Sequence, residues 1–183
     1  MTSLAPSPRE DALVLADAAL ASGTTVEKLT HVLGMQLGWP GASAARWVVE
    51  HADAYAESPL EALGRLTFIE HDLPVPVSNA WIELGPVRLR PDHLLDDRWL
   101  IFEGDGDTKY NNRLDAATVI RHQREREWQL REHGLEVHRY GWPDARHSRG
   151  QLAERFRAVI AAHPPRTHPC PWYRERRTYR HVA

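Results

Sequence analysis

One cysteine, Cys170, stands in 183 residues, so no disulfide can form within a chain, and a reducing cytoplasm is the expected compartment. No apolar run approaches the roughly 18 residues needed to cross a bilayer, so no membrane partner is expected. The opening stretch "MTSLAPSPRED" has no basic segment leading into an apolar one, and a secretory leader is not expected either. Lysine is almost missing: only Lys28 and Lys109 occur, and arginine supplies the rest of the positive charge. That bias suits nucleic-acid binding and suits a GC-rich genome equally well. Internal repeats are absent. The glycines of "GDGDTKY" have neither dinucleotide nor P-loop spacing, and the stretch is negative where such loops meet phosphate. His163, His168 and Cys170 match no standard zinc spacing.

What is present is an ordinary globular composition, with 42% hydrophobic and 26% charged residues, enough for one domain and a small helical appendage. The charge is uneven. Residues 1–110 hold 8 Lys/Arg against 17 Asp/Glu, and residues 111–183 hold 15 against 8. Such a split points to an anionic partner for the C-terminal part, unless the two halves pair with each other.

Residues 1–10 read as a disordered lead-in, and three short helices follow to about Ala56. The second opens at Thr24, with Glu27 three positions on as a capping box. A fourth helix begins at "SPLE", where Ser58 caps, Pro59 takes the first turn and Glu61 completes another capping box. The pattern then changes period. "VPVSNAWIEL", "VRLRPDHLL" and "WLIFEG" read as three strands in a meander, turning at Gly85-Pro86 and at Asp96–Arg98. The last of these is a continuous apolar run, as expected of a strand buried on both faces. A long polar helix over 114–133 stops at Gly134, "LEVHRYGW" is a fourth strand, and "SRGQLAERFRAVIAAH" is a final helix. The tail, with its prolines and then Trp172, Tyr173, Arg174, Arg176 and Arg177, reads as extended or partly disordered. The expected fold class is α/β, a mixed sheet flanked by helices behind a small helical region. The expected divisions are 1–56, 57–162 and 163–183.

The chemistry gathers in "IFEGDGDTKY". Counting back from the Asp96–Arg98 turn, antiparallel pairing sets Asp92 beside Glu103, with Cβ atoms within ~5–8 Å. Two carboxylates forced together at a sheet end need a positive partner. Either a hard cation such as Mg²⁺ joins them, or Arg88, Arg90 or Lys109 does.

The string "SPLEALGRL…VRLRPDHLLDDRWLIFEGDGDTKY…REREWQLREHGLEVHRYGWPD" resembles the PD-(D/E)XK nuclease superfamily. More closely, it resembles the very-short-patch-repair-like endonuclease domains of actinobacterial type, over about residues 57–162. The resemblance implies a restriction-endonuclease-like αβββαβα core, DNA as partner and Mg²⁺ (Mn²⁺ as substitute) as cofactor. It makes Asp92 and Glu103 the metal-binding acids. Asp105 stands where the superfamily's usual motif has lysine, as either a third ligand or a group that orients water. Lys109 would return the missing positive charge. Glu61 matches the acid of the first helix, although its capping box already accounts for it. Gln123 matches a polar position on the long helix, although a solvated face would also carry it. Arg88, Arg90, Arg121, Arg124, Arg174, Arg176 and Arg177 are the expected phosphate contacts. Two functions remain in view: a Mg²⁺-dependent deoxyribonuclease, or a nuclease fold kept as a DNA-binding or antitoxin-like regulatory module without turnover. A protein-interaction module would leave the acidic cluster unexplained.

Overall fold

The structure, a computed structural model, describes residues 9–85, 87–106 and 128–175. These fall into two compact units divided between Ala62 and Leu63.

The first unit is helical: α1 (Arg9–Ala21), α2 (Val26–Met35) and α3 (Ala42–His51), leading into α4 (Pro59–Glu70), which crosses the division. Leu13, Leu20, Leu33 and Val48 are buried there. The buried Asp17 carboxylate accepts the Asp53 N–H at 2.7 Å and so holds the chain just after α3. The N-cap of α2 is Thr25, one residue later than the capping pattern suggests, with its hydroxyl accepting the Lys28 N–H. At the start of α4 the expected cap is present. Ser58 Oγ accepts the Glu61 N–H, while the Glu61 carboxylate accepts from Ser58 Oγ at 2.7 Å and the Glu57 N–H at 2.8 Å.

The second unit is a mixed sheet flanked by helices, with a smaller sheet attached. Its strands are β1 (Val77–Ser78), β2 (Trp81–Leu84), β3 (Val87–Leu89), β4 (His93–Leu95), β5 (Leu100–Asp105), β6 (Glu136–Gly141) and β7 (Trp172–Tyr173). Helices α5 (Trp142–His147) and α6 (Arg149–Ala162) follow β6. The larger sheet runs β1-β4-β5-β6, antiparallel except for the parallel β5–β6 pair; the smaller runs β3-β2-β7.

The expected first two strands are each divided in two. They form one long hairpin bent midway, and a single register runs through both parts, pairing Ser78 with His93 and Ile82 with Leu89. The bend has local causes. Asn79 adopts φ 48°, a left-handed conformation that asparagine tolerates, and Pro91 on the returning strand has no N–H for a ladder. The Asn79 N–H donates to Asp92 O at 3.0 Å and pins the corner. Bending moves the hairpin tip into the smaller sheet and leaves its base, with Asp92 at the corner, beside β5. The third strand then pairs with the second as a meander requires, through a 3₁₀ turn at Asp96–Arg98.

β5 is buried on both faces, with Leu100, Ile101 and Phe102 all at 0% exposure. Ile101 packs with Ile82, Leu94, Leu130 and Leu135. Phe102 lies on the opposite face among Phe68, Phe156 and His138, in edge and tilted ring contacts. Residues 128–132 are helical, and Gly134 closes that segment at φ 82°, with its N–H bonded to Arg131 O. Glycine meets no Cβ penalty in this conformation.

The segment after α6 is extended, as its prolines predict, and it is also docked. Arg166 and Cys170 donate backbone N–H groups to Asp97 O and Asp96 O, and Arg98 Nη1 donates to the carbonyls of Ile160 and His163. Trp172 and Tyr173 then add β7 to the small sheet, pairing with Ile82 and Trp81. Cys170 is 1% exposed, and burial first, then the Asp96 carboxylate, pushes its thiol up to about 11. It should therefore react with a disulfide reagent at pH 8 only as the segment opens, and at full rate in urea. Rapid stoichiometric reaction in plain buffer would mean that the segment is not docked. The sign of the pH effect follows. The unfolded thiol loses its proton near its ordinary value of 9.0, before the folded one does, so stability falls as pH rises from about 9 to about 11.

Candidate functional site

The site is built at the end of β5. Strand parity puts Ile101, Glu103 and Asp105 on one face and Phe102 and Gly104 on the other. The register of β4 and β5 pairs His93 with Phe102 and Leu94 with Ile101; one further step sets Asp92 opposite Glu103. Asp92 Oδ2 accepts the Gly104 N–H at 2.8 Å, so this carboxylate is fixed across the strand end in place of a ladder carbonyl.

β6 completes the arrangement. In parallel register, Glu103 pairs with Arg139, Gly104 with Tyr140 and Asp105 with Gly141. Arg139 Nη2 lies 3.6 Å from Glu103 Oε2, with both side chains largely buried at 30% and 19% exposure. This is longer than the roughly 2.7–2.9 Å of a charge-assisted hydrogen bond, so the pair is an electrostatic neighbourhood more than a clamp. A positive group does therefore stand beside the acids. On β6 that group is Arg139; of the Arg88, Arg90 and Lys109 that the local sequence suggests, Lys109 lies outside the described residues.

Beneath the strand end lies a buried polar pair. His93 is 0% exposed and Tyr140 1% exposed, and His93 Nε2 sits 2.9 Å from Tyr140 Oη. The two rings are near parallel at 6.0 Å between centroids. They belong to β4 and β6, on either side of β5, and the glycine at 104 leaves the face between them without a side chain. Tyr140 reaches this place because α4 carries glycine at 64, where a Cβ would stand 2.0 Å from Tyr140 Oη.

Glu61 lies in the first unit, with its carboxylate engaged at its own helix start. Arg88, on β3, is held in the small sheet: its guanidinium meets Glu83 at 3.1 Å, Glu175 at 2.9 Å and the Tyr173 hydroxyl at 3.2 Å, and lies 4.0 Å above the Trp81 ring. Arg90 lies 5.7 Å from that ring. Arg174 donates to Ser78 O at 3.1 Å. Contacts of Arg88 or Arg174 with phosphate would thus exchange existing partners. Lys109, Gln123, Arg121, Arg124, Arg176 and Arg177 lie outside the described residues. Cys170 is buried, His163 meets Val159 O and Glu136, and the His168 carbonyl accepts from Trp99 Nε1. These last three residues serve the docked segment.

Among the described residues, no three His, Cys, Asp or Glu side chains are grouped so as to hold a metal ion. The donors at the end of β5 are all carboxylate oxygens, the type a hard cation takes. Mg²⁺ in particular needs only one or two carboxylates and completes its shell with water and substrate phosphate. The donor chemistry fits Mg²⁺ at Asp92 and Glu103. Sequence reasoning set Asp92 beside Glu103, as the register does, and gave no site role to Arg139, Tyr140 or Gly64. The signal for Arg139 is the parallel register of β6 on β5, which no local pattern encodes. No known protein family matches the chain, and neither does a curated protein or a solved structure.

Proposed function

We propose that this chain is a nuclease-fold protein of the PD-(D/E)XK superfamily, of very-short-patch-repair-like type with a restriction-endonuclease-like core, that hydrolyses DNA phosphodiester bonds with Mg²⁺ or Mn²⁺. One observation carries the reading: the β4–β5 register sets Asp92 opposite Glu103 at the end of a buried strand, with Asp92 fixed to the Gly104 N–H. The element order, with a parallel β5–β6 pair joined through a helical segment, supports the same reading. When bound, the ion supplies a Lewis acid for the phosphate and a water more acidic than bulk. Asp92 and Glu103 would hold it. Asp105, at the last position of β5, either joins them or orients water. Arg139 offsets the negative charge of Glu103. Lys109 and Gln123 keep the roles that the resemblance gives them, and the Arg side chains would neutralise backbone phosphate, which makes binding salt-sensitive.

The Arg139–Glu103 contact favours a second reading, in which the fold is retained for DNA binding or antitoxin-like regulation without turnover. Supercoiled plasmid incubated with protein and Mg²⁺, Mn²⁺ or EDTA separates the two. The expected result is nicking with metal, none with EDTA, and none from Asp92→Ala or Glu103→Ala. Salt-dependent DNA binding with no nicking under any condition would establish the second reading.

A further inference from the structure

Beside the acidic strand end, along the outer edge of β6, lies a cavity of about 240 Å³ lined by Val137, His138, Arg139, Arg155, Phe156 and Val159. It is smaller than the roughly 300–1,000 Å³ of sites for drug-sized ligands, so its scale is that of an ion or a single substituent group. Among the described residues that line it, the polar ones are His138, Arg139 and Arg155, all basic. Among the described residues β6 is an edge strand of its sheet, and α6 residues line the other side of the cavity.

Arg155 organises the edge. Its Nη2 donates to Arg139 O at 3.0 Å, which brings the α6 guanidinium to the strand position that carries Arg139. Its Nη1 meets Asp144 Oδ1 at 3.2 Å. A guanidinium has five N–H donors, so three remain on Arg155 after these two contacts with described residues. Two arginines thus line one small space. The acids that balance the lining groups, Asp144, Glu103 and Glu136, are not among the lining residues. Phe156, Val137 and Val159 supply apolar wall beside the Arg155 guanidinium.

We propose that this cavity is an anion subsite that takes one phosphate group, and that the group belongs to a nucleic-acid backbone lying across the end of β5. The identity of the macromolecule rests on the function proposed above; the anion chemistry of the cavity does not. Arg155 presents a fork of N–H donors that matches two phosphate oxygens, and Arg139 links the subsite to Glu103 on the neighbouring strand. His138 adds a reporter. Burial, with His163 and Arg131 nearby, lowers its pKa against the opposing pull of Glu136. A bound anion favours the charged imidazole, so phosphate should move the His138 titration upward.

The test compares inorganic phosphate with chloride at equal ionic strength, on the full chain. Phosphate should raise the unfolding midpoint by about 3–6 °C, the shift for a ligand at roughly ten times its dissociation constant. It should also raise the His138 titration midpoint seen by NMR. Both effects should vanish in Arg155→Met and persist in Arg157→Met, a control on the same helix whose guanidinium meets Glu154 and His71 O. Arg155→Lys keeps the charge without the fork and should retain a weaker effect, which covers the case of a poorly folded methionine variant. A short DNA duplex should be displaced by phosphate from the wild type and bind Arg155→Met about tenfold more weakly. Phosphate effects that are absent, or equal in wild type and Arg155→Met, overturn the subsite. An effect confined to inorganic phosphate, with DNA binding unchanged in Arg155→Met, overturns the nucleic-acid assignment. Metal-dependent nicking without a phosphate effect sinks the subsite alone; a phosphate effect without nicking sinks the hydrolytic reading alone.

Discussion

Asp92→Asn is expected to fold as stably as the wild type and to lose the proposed metal-dependent nicking by about 100-fold or more. The two halves of that expectation come from two things this side chain does. Its Oδ2 accepts the Gly104 N–H at 2.8 Å, a task a carboxamide oxygen performs equally well in the same volume. Its negative charge stands opposite Glu103 at the strand end, and the amide removes it. The amide keeps the acceptor for the Gly104 N–H, so the unfolding midpoint in urea should stay close to that of the wild type. Asp92→Ala should differ, because it also leaves the Gly104 N–H without its acceptor, at a cost of about 1–3 kcal/mol. Added Mg²⁺ should stabilise the wild type and leave both variants unchanged. An Asp92→Asn protein that nicks plasmid at the wild-type rate would remove this residue from the proposed metal site. One that melts like Asp92→Ala would mean that charge, and no acceptor alone, holds the strand end together.

The parts of this site that a sequence reader can reach are those set by counting. The meander follows from turn residues and from the apolar run "WLIFEG", and its register follows from the position of the Asp96–Arg98 turn. That is why Asp92 could be set against Glu103 without a structure, and why the register agrees. The Glu61 cap and the helix stop at Gly134 are also local, and both occur as read. The bend of the hairpin was legible only in hindsight. Asn79 and Pro91 are ordinary turn or edge residues by themselves, and they make a corner only because the register aligns them near each other on paired strands.

Arg139 and β7 were out of reach for a different reason. Thirty residues separate β6 from β5 in the sequence, and packing of Phe102, Tyr140 and Phe156 helps to fix the phase between the two strands. Shift that phase by one residue and Arg139 leaves the face of Glu103. β7 likewise exists because Asp96 and Asp97 accept backbone N–H groups from the segment after α6 and deliver it to β2. The composition of that segment signalled extension and gave no sign of a partner. So the acids were legible as a local motif, while their electrostatic setting depends on a long-range register.

Gly64→Ala is expected to destabilise the protein by about 2–4 kcal/mol, against the ordinary preference of a helix for alanine. In a solvent-facing helix the same change stabilises by about 1 kcal/mol, so the sign itself is diagnostic. Here the new methyl would stand 2.0 Å from Tyr140 Oη, 2.3 Å from Cζ and 2.8 Å from Cε2. The ring is 1% exposed, and its hydroxyl is held 2.9 Å from His93 Nε2, so it has no open space to swing into. Either the ring shifts and the His93 contact breaks, or α4 moves away from the sheet and loosens Phe68 from Phe102 and Phe156. At roughly 2–4 °C per kcal/mol for a chain of this size, the unfolding midpoint should fall by about 5–15 °C. Tyr140→Ala in the same chain removes the obstacle at its own cost, so the double variant should be less destabilised than the sum of the two singles. Additive losses, or a Gly64→Ala protein as stable as the wild type, would mean that Tyr140 does not rest on α4. Because Tyr140 is the register partner of Gly104, whose N–H holds Asp92, a ring forced out of place should also weaken nicking in the fraction that stays folded. Activity per folded molecule, measured below the transition, tells that effect apart from simple loss of protein.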